Sequence, residues 1–177
     1  MRQHLGSRAD HRPLYTDEER RRRDASPWTV VQGVLAPLQL LAFLISLFLV
    51  LRYLGTGAGL TLATASIVVK TLVLYTIMIT GSIWEKDVFG CYLFAPPFFW
   101  EDVVSMVVLS LHTAYLVALA THWIDARQQM FLALAAYITY VINASQFLLK
   151  LRTARLQGTK IPVVAKAAGC AALGLAE

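Results

Sequence analysis

Residues 29–50 read TVVQGVLAPLQLLAFLISLFLV, a run without one ionisable side chain. An α-helix rises about 1.5 Å per residue and needs about 20 apolar residues to cross the hydrocarbon of a bilayer. This stretch meets that requirement, and three more follow it, at about 60–83, 103–121 and 130–149. The gaps between them are Arg52 to Gly59 with its Gly-Thr-Gly run, Trp84 to Asp102, and His122 to Gln129. A lipid-facing backbone must satisfy its own hydrogen bonds, so each stretch predicts a continuous helix. Pro37 and Gln39 predict a kink near the start of the first. That first stretch reads as a retained span rather than a cleaved signal peptide. Its uncharged run is too long, no small-residue cleavage pattern follows it, and 28 mostly polar residues precede it.

The rest of the chain agrees with this reading. Of 177 residues, 57% are hydrophobic and 15% charged, with a mean hydropathy of +0.57. A soluble domain carries about 25% charged residues. Of the 27 charged side chains, 12 lie in residues 1–27 and 5 in residues 152–177, leaving 10 for the 124 residues between Trp28 and Leu151. So few charges cannot cover a water-soluble body. A soluble globular enzyme, a disordered chain and a disulfide scaffold are excluded. Cys91 and Cys170 have no partner at metal-ligand or redox spacing. The expected fold is an all-α integral membrane protein, a four-transmembrane-helix bundle. A basic tail (1–27) precedes the membrane domain (28–151), and a second tail (152–177) follows it. The last twenty residues, rich in Ala and Gly, are too short and broken to span.

Lys and Arg in short loops set orientation. Seven lie in the N-terminal tail (Arg2, Arg8, Arg12, Arg20 to Arg23), Lys86 lies in the second gap, and five lie from Lys150 onward, which makes 13 on one side. Arg52 and Arg127 lie on the other, and Lys70 falls inside the second span. Both termini and the second gap are expected to face the cytoplasm. Trp28, Trp84, Trp100 and Trp123 all fall at predicted span ends, where an amphipathic indole prefers to sit. The Arg20 to Arg23 run precedes a span, so it reads as a contact to anionic lipid head groups rather than to nucleic acid. Thr16-Asp-Glu-Glu has the pattern of a capping box opening a short helix that ends before Pro27.

Ionisable groups inside a membrane are costly and therefore candidates for function. Lys70 lies about nine residues, roughly 14 Å, inside the second span, and His112 about ten residues, roughly 15 Å, inside the third. Both are near the midplane, and neighbouring antiparallel helices could bring them together. Lys70 is either a hydrogen-bond or carboxylate partner or a snorkelling lysine. His112 is an acid, a base or an axial metal ligand, or else a histidine bonded to a backbone carbonyl. Glu101, Ser105, Val108 and His112 draw one stripe along a helix, leading from the cytoplasmic surface to the midplane. Such a stripe is either a polar path into a cavity or inter-helix hydrogen bonding. In the fourth span Tyr137, Tyr140 and Asn143, continued by Gln146, read as hydrogen-bonding glue.

The second gap, Trp84 to Asp102, is the most unusual segment, with four carboxylates and seven aromatics in 19 residues. We read it as an aromatic and acidic loop between the second and third membrane helices. A plain connector would be shorter and more polar. Its aromatics either grip a large flat apolar ligand or form an interfacial belt. Carboxylates beside them suit acid/base work, because an apolar surround favours the protonated form while a better-solvated partner stays ionised. Glu85 and Glu101 bracket the aromatic segment, with Asp87 and Asp102 close by. Spacing alone does not say which acts as acid and which as base. No phosphate loop, His-Glu-x-x-His or Gly-x-Ser-x-Gly motif is present.

Several strings resemble one family. They are Pro13-Leu14-Tyr15-Thr16, Arg22-Arg23-Asp24-Ala25-Ser26-Pro27-Trp28-Thr29-Val30-Val31-Gln32-Gly33, and Ile67-Val68-Val69-Lys70-Thr71-Leu72. Gly81-Ser82-Ile83-Trp84-Glu85-Lys86, Tyr92-Leu93-Phe94-Ala95-Pro96 and Phe98-Phe99-Trp100-Glu101-Asp102-Val103-Val104-Ser105-Met106 complete the set. Across roughly residues 13 to 157 the chain is similar to the 3-vinyl (also called 2-vinyl) bacteriochlorophyllide hydratases of bacteriochlorophyll biosynthesis in phototrophic bacteria. The resemblance implies a lyase of the inner, intracytoplasmic membrane that hydrates the C3-vinyl group of a chlorophyllide or bacteriochlorophyllide to 1-hydroxyethyl. It implies no redox cofactor and no resident metal, since the magnesium arrives in the substrate.

On that reading the catalytic candidates are Glu85, Glu101, Asp102 and His112. Lys70, Lys86, Phe89, Tyr92, Phe94, Phe98 and Trp100 are the substrate-binding candidates. A cation such as Lys86, Lys150, Arg152 or Arg155 would pair with the propionate, and either His112 or a water would ligate the substrate magnesium. A non-catalytic tetrapyrrole-binding or assembly subunit is the alternative, and a small transporter is disfavoured because no inverted repeat or broken helix pair appears. The lipid bilayer is an expected partner and nucleic acid is not. Association with itself or with neighbouring pathway enzymes is expected of a four-span protein this small.

Overall fold

A computed structural model describes residues 14–173, with side chains through Arg152. Arg2, Arg8, Arg12 and the side chains of Arg155, Lys160, Lys166 and Cys170 lie outside the described residues. The described chain is all-helical: α1 (Asp17–Ala25), α2 (Pro27–Thr56), α3 (Leu60–Phe89), α4 (Phe99–Thr121) and α5 (Ala126–Leu173). Helix α1 begins as its sequence predicts. The Glu19 amide donates to Thr16 Oγ1 at 3.3 Å, and the Thr16 amide donates to Glu19 Oε2 at 2.7 Å. Asp17, Glu18 and Glu19 occupy its first turn and Arg22 and Arg23 its last, so side-chain charge opposes the helix dipole at both ends. Pro27 then opens α2, where its missing N–H costs no hydrogen bond.

Four helices are long and apolar enough to cross a membrane: α2, α3, α4 and the Ala126–Arg152 part of α5. The four expected spans are present, but their helices run past the apolar runs. Helices α2 and α3 have 30 residues each, about 45 Å of rise against about 30 Å of hydrocarbon. The second gap is therefore shorter than its composition suggested. Glu85, Lys86, Asp87 and Phe89 belong to α3, and Glu101 and Asp102 to the first turn of α4, so only residues 90–98 connect the helices. Apolarity ends where the hydrocarbon ends, whereas a helix continues into the polar head-group layer until a terminator stops it. For α3 the terminator is Gly90, at φ 85°. For the same reason α2 absorbs Arg52 and runs on to Thr56, and α5 continues well beyond the fourth apolar run.

Consecutive helices pack antiparallel, α2 along α3 and α4 along α5, with α5 also touching α2 and α3 touching α4. Phe43, Ile67, Leu74, Val108, Tyr115, Met130, Tyr137 and Tyr140 form the core. Several polar groups within and around it find partners on other helices. The Ser46 hydroxyl meets Ser66 Oγ at 2.8 Å and the Tyr137 hydroxyl at 2.5 Å. Between α3 and α4, the Tyr75 hydroxyl meets Thr113 Oγ1 at 2.8 Å. Helix α1 folds back on α3, where Ser26 donates to Asp87 and Trp84 Nε1 donates to Thr29 Oγ1 at 2.9 Å. The α1 end of the bundle thus gathers the first turn of α2, the last turns of α3, the first turn of α4 and the Lys150 region of α5.

Thr16→Ala removes one half of the capping box and is expected to weaken α1 by about 1 kcal/mol. Limited trypsin digestion of detergent-solubilised protein should then cut within Arg20 to Arg23 several-fold faster than in the parent. Unchanged cleavage would show that docking on α3, not the cap, holds α1.

Candidate active site

Three carboxylates are buried at the α1 end: Glu85 is 5% exposed, Asp102 3% and Glu101 8%. The connecting segment turns sharply beside them, with Phe94 in the left-handed region at φ 61°. That turn aims two amides at two carboxylates. The Phe94 amide donates to Asp102 Oδ2 at 2.7 Å, and the Ala95 amide donates to Glu85 Oε2 at 3.3 Å. Consecutive amides thus hold Glu85 and Asp102 side by side. Two carboxylate charges held this close in a buried site repel, which favours a proton on one of them.

Glu101 has a different partner. Lys150 Nζ stands 2.6 Å from Glu101 Oε2 and also donates to the Pro97 carbonyl. It sits 4.9 Å from the centre of the Phe98 ring. The expected Glu85 and Glu101 pair is thus regrouped: Glu85 faces Asp102, and Glu101 is neutralised by a cation from the fourth span. Consecutive residues on a helix point about 100° apart, so Glu101 and Asp102 face different neighbours. Lys150 is correspondingly not free to meet a propionate. Lys86 donates to the Tyr92 hydroxyl at 2.8 Å and lies over that ring at 4.0 Å. Arg152 is exposed.

The aromatics divide into two sets. Phe89 and Phe98 are packing residues. Tyr15 stacks on Phe89 with ring centres 5.8 Å apart, Phe98 meets Phe147 at 6.0 Å, and Trp84 closes on both Phe89 and Phe98. With Val88 they form a small apolar cluster, the roof of this end of the bundle. Burial pushes the Tyr15 phenol up from its ordinary pKa, against the pull of the Arg23 guanidinium 5.0 Å above its ring. Tyr92, Phe94 and Trp100 are exposed, joined by Phe99, whose ring lies 5.7 Å from Phe94 and 5.6 Å from Trp100. This second set is the exposed one, with Lys86 over one face of Tyr92. Sequence reasoning missed Tyr15 and Phe147 as parts of the roof. The one available signal was the apolar Leu14-Tyr15 pair in an otherwise polar tail.

Lys70 and His112 do meet in the interior. Lys70 Nζ bonds His112 Nε2, and His112 Nδ1 lies 2.7 Å from the Val108 carbonyl. A carbonyl only accepts, so Nδ1 carries the proton and Lys70 donates to Nε2. Both ring nitrogens are engaged, which leaves His112 no lone pair for a substrate magnesium in this arrangement. Lys70 lies over the Tyr140 and Tyr137 rings at 4.4 and 4.9 Å. The stripe from Glu101 through Ser105 and Val108 to His112 is buried along its whole length, and Asn143 Nδ2 donates to Ser105 Oγ at 2.8 Å. His112 is eleven residues from Glu101, roughly 16 Å along the helix. The midplane pair and the carboxylates are therefore two centres, not one.

A sequence profile of the 2-vinyl bacteriochlorophyllide hydratase family matches residues 15–153. The chain is 69% identical over 144 residues to the 2-vinyl bacteriochlorophyllide hydratase of Rhodobacter capsulatus, covering 81% of this chain and 84% of that protein. It is 68% identical over 148 residues to the enzyme of the same name from Cereibacter sphaeroides, covering 84% of this chain and 92% of that one. The chain belongs to the 2-vinyl bacteriochlorophyllide hydratase family. No solved structure matches it significantly. The region shared with the 2-vinyl bacteriochlorophyllide hydratases begins at Tyr15 and passes Lys150, so it holds the roof, the three carboxylates and the Lys70–His112 pair.

Lys150→Met leaves the Glu101 carboxylate buried without its cation and is expected to cost on the order of 3 kcal/mol. Thermal unfolding in detergent should show a clear drop in Tm, partly recovered in Lys150→Met/Glu101→Gln. A double variant no more stable than the single one would mean that Lys150 acts through the Pro97 carbonyl instead.

Proposed function

We propose that this chain adds water across the vinyl substituent of a chlorophyllide or bacteriochlorophyllide, giving a 1-hydroxyethyl group. Glu85 and Asp102 serve as its acid/base pair. The observation that carries the residue assignment is that two consecutive amides, those of Phe94 and Ala95, hold these two buried carboxyls side by side. In the resting pair one carboxyl is protonated and the other ionised, because two adjacent buried charges repel. The family names of the relatives supply the substrate class.

Hydration needs both forms at once. The protonated carboxyl gives its proton to the terminal vinyl carbon, leaving a cation at the inner carbon that the macrocycle delocalises. The ionised carboxyl takes a proton from the water that attacks this inner carbon. One proton leaves the pair and one returns, so the pair ends the cycle with the charge it began with and needs no proton from solvent. The Phe94 and Ala95 amides keep both carboxyls oriented through the exchange of roles.

The exposed rings of Tyr92, Phe94 and Trp100 are the surface on which a flat macrocycle lies, and Lys86 or Arg152 pairs with its propionate. Magnesium travels within the substrate and no further cofactor takes part. The excess of Lys and Arg at the α1 end orients that end to the cytoplasm, in a multi-pass protein of the bacterial inner membrane.

Purified protein incubated with a 3-vinyl chlorophyllide should yield a blue-shifted product of mass +18. A pigment carrier would leave the mass unchanged. Glu85→Gln and Asp102→Asn should each lower turnover by a factor of about 10² or more while retaining pigment binding, and Glu101→Gln should lose less. Wild-type rates in both Glu85→Gln and Asp102→Asn would discard the assignment.

A further inference from the structure

Water is the second substrate of the proposed hydration, and the interior holds an unassigned place for it. Among the described residues, Gln39 has neither side-chain atom hydrogen-bonded to protein, and the Asn143 and Gln146 carbonyl oxygens have no partner either. Gln39 is 2% exposed and Asn143 8%. These groups lie in one seam. Ser46 and Phe43 of α2 touch Tyr137 and Tyr140 of α5, and the two helices run antiparallel. One turn further back along α2, Gln39 is therefore level with Asn143. Between α4 and α5, the Ser105–Asn143 and Glu101–Lys150 contacts bracket Gln146. That places Gln146 at the level of Asp102, which is three residues from Ser105.

By their levels along the helices, Gln39 and Asn143, then Gln146, lie in order toward the carboxylate pair. Buried amides without partners are costly in an apolar interior, and proteins meet such atoms with ordered water. At Gln39, where neither side-chain atom has a protein partner, packing alone would have been served better by Leu or Met.

The geometry points to a site for ordered water in the α2/α4/α5 seam, held by Gln39, Asn143 and Gln146, that delivers the reacting water to Glu85 and Asp102. The delivery half rests on the hydratase reading above. The binding half does not. Water in the seam replaces each molecule consumed without opening the Tyr15 and Phe98 roof, so the carboxyls stay shielded while the vinyl group reacts.

Two measurements on the full-length protein test this. X-ray hydroxyl-radical footprinting, in which bound water is the radical source, should oxidise buried Phe43 and Tyr140 at rates typical of exposed rings. In Gln39→Met, a near-isosteric change, that labelling should fall several-fold while exposed Trp123 labels as before. Phe43 and Tyr140 unlabelled in the wild type, or equally labelled in Gln39→Met, would overturn the water site. Because the first of these outcomes needs no variant, misfolding cannot obscure it. In the chlorophyllide assay Gln39→Met should lower kcat about five-fold or more at unchanged KM. Reduced labelling with unchanged kcat would overturn the delivery role alone. Labelling as expected in a protein with no hydratase activity would instead strike the hydratase reading and leave the water site standing.

Discussion

Inside a bilayer a polar group has no bulk solvent to fall back on, so most of those the chain buries find a partner within the protein. That constraint organises this bundle. Ser46 ties α2 to α3 and α5, Lys70 ties α3 to α4, and Asn143 and Lys150 tie α5 to α4. Apolar surfaces in lipid do little to select one helix pairing over another, since lipid tails are as apolar as leucine. The few polar contacts therefore fix which helices are neighbours and at what level. The position of Glu85 against Asp102 follows from that register.

The two polar centres differ in chemistry as well as depth. Lys70 and His112 are matched donor to acceptor within a cage of tyrosines, an arrangement closed on itself. The carboxylates lie where the helices leave the apolar layer, under a roof of Tyr15, Phe89, Phe98 and Trp84 and beside exposed rings. A pigment arriving from the membrane surface meets the second centre first. This favours the carboxylates for chemistry and the midplane pair for holding the helices in register.

What the sequence made legible is periodic or local. Four apolar runs, the Thr16 capping box, the buried Glu101 to His112 stripe and the meeting of Lys70 with His112 all follow from a 3.6-residue repeat or from span length. What stayed hidden depends on a helix start or on distant sequence. Whether Glu101 or Asp102 turns toward Glu85 depends on α4 opening at Phe99, and hydropathy does not mark that residue. Lys150 is 49 residues from Glu101, beyond any spacing rule. The extent of the second connection was overestimated for a related reason: charged residues at a membrane surface are as compatible with helix as with loop.

The site is also assembled from the two extremes of the matched region. Tyr15 roofs it at one end of the sequence, Lys150 locks Glu101 at the other, and the carboxylates lie midway between them. During synthesis α3 and α4 can enter the membrane and bring Glu85 to Asp102 before α5 exists, but Glu101 then has no cation. This end of the bundle therefore becomes complete only when the fourth span is in place. The charge balance of this end is thus set last, by the final span to emerge.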